Sequence, residues 1–182
     1  CLLPPTVSTD LTLTAGVDYL MEGRVTVGNG NGQLETNGDG TLSDGSSVRN
    51  VTLTIEAGVN VFGKSGTFAN LVITRGSKLM AVGTKSAPIV FSSDDEGLDG
   101  SGEWGGLIIH GYAPHNECAE GGSYCDIDSE GESGFAGGYD PDDSSGVLRY
   151  VVVAEGGYEF STGNEINGIS LVGVGSGTEM DY

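Results

Sequence analysis

Apolar residues return along this chain at a fixed step. With each candidate strand written as an inward pair x and x+2, Leu53/Ile55, Leu71/Ile73, Ile89/Phe91 and Leu107/Ile109 follow one another every 18 residues. From Leu107 to Val151 is 44, one step of 18 plus an insertion of 26, and Ile169/Leu171 then follows Val151/Val153 by 18 again. Gly58, Gly76 and Gly156 stand in one phase, three positions after the second apolar residue. Runs of β-branched residues broken by Gly, without 3-4-7 spacing, point to strands and turns rather than amphipathic helices.

A strand-turn unit of this size cannot bury its own apolar face, so copies must stack. The step predicts a parallel β-solenoid with coils of about 18 residues spaced by about 4.8 Å, in which Leu53, Leu71, Ile89 and Leu107 form one vertical file. "VNVFG" and "SKLMAVG" supply a second short strand after each glycine bend. The alternation leaves an outward column containing Val72, Val90, Ile108 and Tyr150. Such an apolar stripe is covered either by an insertion that folds back or by a partner. The same stacking sets Ser92 one coil below His110. Residues 1–46 read as an N-terminal segment with irregular first coils, and 47–182 as the solenoid, interrupted by an insertion at 113–145.

At 182 residues the chain has the size of one domain. Its 33 Gly against 5 Pro exclude a helical protein, and no G-X-Y period is present. The formal charge is −19, from 26 acidic and 7 basic residues, which repels nucleic acid and anionic membranes and leaves cations and neutral polymers as partners.

Of three cysteines, Cys118 and Cys125 bracket "CAEGGSYC" and are expected to form a small-loop disulfide in an oxidising compartment. Cys1 fits the lipidated first residue of a mature bacterial lipoprotein, which would be the chain's one attachment to a membrane. Within the insertion, "DIDSEG" sets Asp126, Asp128 and Glu130 at alternate positions before Gly131, like the first half of an EF-hand-type calcium loop. Asp140, Asp142 or Asp143 would close that site, because Gly137 stands where the final acid belongs. "SSDDEG" offers a second group, Asp94, Asp95 and Glu96, at a coil corner. Asn37, Asp39 and Asp44 lie among glycines in a segment read as a flexible corner. Trp104 is a candidate platform for a sugar ring.

The segments "LTIEAGVNVFG", "SKLMAVGTKSAPIVFSS", "GEWGGLIIHG", "SGVLRYVVV" and "NEINGISLVGVGSGT" resemble bacterial cell-surface and secreted proteins built on the right-handed parallel β-helix, a superfamily that includes pectate-lyase-like enzymes. The resemblance covers roughly 47–182 and implies a fold more than an activity. It also implies further coils beyond "GVGSGT", or a partner over the end. The resulting expectation is an extracellular structural or interaction protein, adhesin-like or part of an envelope. Its partners would be a surface protein, a glycan, or copies of itself in an oligomer or filament joined through open solenoid ends. The alternative is a carbohydrate-binding or polysaccharide-cleaving protein, in which Arg75 or Lys78 would act as the base. No catalytic residues stand out as a set.

Overall fold

The computed structural model describes every residue except 35–39, 121, 123 and 162–163, and only the backbone of 160, 161, 164 and 165. The chain is a parallel β-helix with three faces. Its first turn is β1 (Thr6–Val7), β2 (Leu11–Leu13) and β3 (Tyr19–Met21). The second is β4 (Val25–Val27), β5 (Thr52–Ile55) and β6 (Asn60–Gly63), and the third β7 (Asn70–Ile73), β8 (Lys78–Val82) and β9 (Ile89–Ser93). β10 (Gly106–His110) opens the fourth turn. The insertion then contributes its own antiparallel hairpin, β11 (Ile127–Ser129) and β12 (Gly134–Ala136), joined by a 3-10 turn at Glu130–Glu132. β13 (Gly146–Arg149) and β14 (Val151–Val153) complete that turn. After a second hairpin, β15 (Glu159–Ser161) and β16 (Asn164–Glu165), come β17 (Ile169–Val172) and β18 (Glu179–Asp181).

Every third solenoid strand joins the same sheet: β1-β4-β7-β10-β17, β2-β5-β8-β13-β18 and β3-β6-β9-β14. All pairings within these sheets are parallel. β1 to β4 therefore already belong to the stacked sheets, inside the segment read from sequence as irregular first coils.

The register corrects the expected coil. Leu53 aligns with Leu79, 26 residues on, and Val61 with Phe91, 30 residues on. Leu71 aligns with Leu107, 36 residues on, because a connector at 94–105 intervenes. The first two steps of 18 thus advance the chain by two faces of three and the third, from Ile89 to Leu107, by one face and the connector, so the four residues expected in one file belong to three sheets. Leu71 and Leu107 stack directly; Leu53 and Ile89 face the same core from the other two sides. The alternation itself holds, since all four are fully buried. The core they share also takes in Leu13, Met21, Val27, Leu79 and Phe91, and it runs the length of the rod.

The two ends differ. At the first turn, Leu3 is buried, its amide donates to Leu20 O (2.9 Å), and Leu20 N donates to Cys1 O (2.8 Å), so residues 1–3 cover the edge of β3. Pro4 and Pro5 precede the edge strand β1 and have no amide to offer another strand. At the last turn, β14, β17 and β18 are the outermost strands of their sheets.

Candidate functional site

Two arginines clamp the insertions to the sheet that carries β7 and β10. Arg75 follows β7 and is wholly buried. Its Nε donates to Gly30 O (2.7 Å) and Nη2 to Gly32 O (2.6 Å), both in the segment between β4 and β5. Its Nη1 donates to Asp126 Oδ1 (2.8 Å) and to the carbonyls of Cys125 and Gly137 (both 3.2 Å), in the segment between β10 and β13. The Tyr112 ring lies 5.8 Å from its Cζ. Residue 30 must be glycine here, because a Cβ would run into the Arg75 backbone carbonyl. Arg24 makes a parallel clamp, donating through Nη1 to Glu132 O (2.6 Å), through Nη2 to Gly131 O, and through Nε to Asn70 Oδ1 (3.0 Å). Burial lowers the Arg24 pKa, with Glu132 opposing.

His110, at the end of β10, is sealed under the insertion. Its Nε2 lies 2.8 Å from Ser129 Oγ and 3.3 Å from Ser133 Oγ, while Nδ1 has no partner. Burial first, then the charges of Arg75 and Arg24, lower its pKa to about 3, so the ring is neutral near neutral pH. Ser92, expected beneath it, lies on β9 in another sheet and donates to Ser93 O.

The disulfide joins Cys118 and Cys125 as expected. The six acids of the expected calcium loop do not gather. Asp126 is committed to Arg75 and, through Oδ2, to Leu34 N (3.0 Å). Asp128 lies on β11 of a hairpin rather than in a loop wrapped around a cation. Glu130 Oε2 accepts from Asn167 Nδ2 (3.3 Å), Asp140 Oδ1 from Asp142 N (3.1 Å), and Asp142 Oδ1 from Ser176 Oγ (2.9 Å). Asp143 Oδ2 accepts from Tyr112 N (3.0 Å), and burial raises its pKa. In the other expected groups, Asp94 Oδ1 accepts from Ser65 N (2.6 Å), and Asp44 forms a turn with Ser46. Asn37 and Asp39 lie outside the described residues.

The apolar column is likewise divided. Val72 and Ile108 are neighbours on β7 and β10, and both are buried under Ile166. Ile166 comes from the segment between β14 and β17, and the longer insertion also approaches this face, where Ile127 and Ser129 line a cavity with Ile108. Val90 lies on a different sheet, and Tyr150 sits at a left-handed bend (φ 49°) with its ring stacked on Tyr182 at 4.6 Å. Trp104 cannot meet a sugar: it is fully buried against Gly63, with Nε1 donating to Ala154 O (2.7 Å).

The sequence reading expected association through solenoid ends, and the register names the residues of the last layer. In the last layer Val151 and Val153 align with Ile89 and Phe91, Ile169 and Leu171 with Leu107 and Ile109, and Met180 with Leu148. Each aligns with a core residue of the layer below, and Leu171 and Met180 are both 47% exposed. Leu148, Val151, Ile169, Met180, Asp181 and Tyr182 line a shallow cavity of about 260 Å³ there.

A family model described as a pectate-lyase-like beta helix domain matches residues 5–182. No curated protein and no solved structure matches the chain.

Proposed function

Because the chain belongs to the pectate-lyase-like β-helix domain family and exposes Leu171 and Met180 in the layer of β14, β17 and β18, we propose that it is a structural and interaction module. In this reading it acts at a bacterial cell surface, in the manner of an adhesin or envelope component. It pairs with a second copy of itself through β14, β17 and β18.

The carrying observation is the combination of inward apolar side chains and outermost strand edges in one layer. Only another layer of strands meets both needs at once, pairing the backbone and covering Ile169, Leu171 and Met180. At the first turn residues 1–3 occupy the edge of β3, while β1 and β2 are the outermost strands of their sheets, so head-to-tail stacking is obstructed on one face of three. Two last turns meeting about a two-fold axis bring their edge strands together antiparallel and close the assembly as a dimer.

The disulfide and the charge of −19 support an extracellular setting. Lipid on Cys1 belongs to the same reading. Cys1 is exposed beside β3, where its carbonyl accepts from Leu20 N. The carbohydrate alternative has less support, because Trp104 is enclosed and the Arg75 guanidinium is saturated by hydrogen bonds. Sedimentation over a range of concentrations tests the proposal. A dimer that Leu171→Glu and Met180→Glu dissociate is the expected outcome, and a monomer at all concentrations contradicts it.

A further inference from the structure

A different corner of the rod holds an acidic centre that the calcium loop read from sequence does not include. Ser93 ends β9, Asp95 stands in the connector after it, Glu103 precedes β10, and Glu155 follows β14. Their segments are locked together: Glu103 N donates to Glu155 O (2.8 Å), and Trp104 Nε1 to Ala154 O. Asp95, Glu103 and Glu155 each place a carboxylate oxygen within 4.8 Å of the others, the sole such group among the described residues.

The Ser93 hydroxyl stands at the centre. Its Oγ is 2.7 Å from Asp95 Oδ1, 2.6 Å from Glu103 Oε2 and 3.0 Å from Glu155 Oε2. One hydroxyl proton serves one acceptor at a time, so two carboxylate oxygens face it without a proton. Glu155 Oε2 also accepts from Ser93 N (3.1 Å). The other oxygen of this carboxylate, Oε1, is buried and has no partner, although Glu155 is only 7% exposed. None of the ion pairs among the described residues involves these three acids. A buried carboxylate oxygen with neither a donor nor a counter-charge is costly, and a bound cation removes the cost.

We propose that Ser93, Asp95, Glu103 and Glu155 bind a divalent cation of the calcium class, which ties the connector at 94–105 to the segment after β14. The donors are all oxygen, with no imidazole or thiolate, so a hard cation fits and zinc does not. Two oxygens bound to one ion at the roughly 2.4 Å radius of calcium coordination lie at most about 4.8 Å apart, and the three carboxylates fall within that limit. Three carboxylates that can bind through one or two oxygens suit the loose, high coordination number of calcium better than the strict octahedron of magnesium.

The test uses the full chain freed of metal with a chelator. Calcium at about one hundred times its Kd should raise the melting midpoint by roughly 5–10 °C. Terbium should luminesce on excitation of Trp104, the one tryptophan, which adjoins Glu103. Glu155→Gln and, at the exposed rim, Asp95→Asn should abolish both responses, while Asp128→Asn on the hairpin should leave them intact. If the native chain shows neither response, the proposal fails. It fails equally if both signals survive in Glu155→Gln and Asp95→Asn, or if Asp128→Asn removes them.

Discussion

The Arg75 guanidinium meets Asp126 Oδ1 at 2.8 Å, with the arginine side chain fully enclosed and the aspartate nearly so. One ion pair thereby joins the sheet wall, the segment between β4 and β5, and the disulfide-bearing insertion. Breaking a buried pair leaves a charge that water no longer compensates. Asp126→Asn should therefore destabilise the protein by about 3–5 kcal/mol, read from denaturant unfolding. Replacing both partners with apolar residues should cost less than the single change, and the reverse order would show that Arg75 is held by its carbonyl partners alone.

His110 makes stability depend on pH. Its folded pKa is about 3, while the unfolded ring titrates near 6.5, so the unfolded chain binds the extra proton between those values. The contribution of His110 is complete above about pH 6.5 and is lost as pH falls toward 3, by up to about 1.4 kcal/mol per unit. His110→Gln should flatten that part of the stability profile, measured by urea unfolding at each pH. A mutant profile parallel to the native one would remove His110 as the cause.

Reduction acts on one loop. The disulfide closes seven residues of separation, for which loop entropy gives a stabilisation of about 2–3 kcal/mol. Cys118→Ser with Cys125→Ser should lower stability by that amount. It should also expose residues 113–124 to protease while the sheets stay protected in hydrogen exchange. Global loss of protection would mean that the bridge holds the rod as well.

Trp104 packs where a Cβ on Gly63 would lie 2.7 Å from its own Cβ. Gly63→Ala should therefore destabilise by about 1–3 kcal/mol through overpacking. Tryptophan emission from the native chain should be blue-shifted and unmoved by added polysaccharide. Quenching or a shift on adding a glycan would place the ring at the surface instead.

The inward positions were legible because alternation reports burial directly: Leu53, Leu71, Ile89 and Leu107 all enter the core. The coil length was not, because three walls made of the same apolar residues look alike to a periodicity count. Two faces of a 26-residue turn pass for a single step of 18. The same ambiguity hid what stacks on what. Ile166 over Val72 and Ile108, or Glu103 beside Glu155, are neighbours only once the true register and the insertions are fixed. In "DIDSEG" the spacing of acids was visible, but the arginine that claims Asp126 lies 51 residues upstream. The Cys118–Cys125 bridge was readable because its loop is local.

Amide hydrogen exchange across a concentration series reads the end of the rod most directly. If the last layer is a pairing edge, residues 151–153, 169–172 and 179–181 should gain protection as concentration rises, while β4, β5 and β6 stay constant. Protection of those three strands that does not change with concentration would contradict self-association through this end.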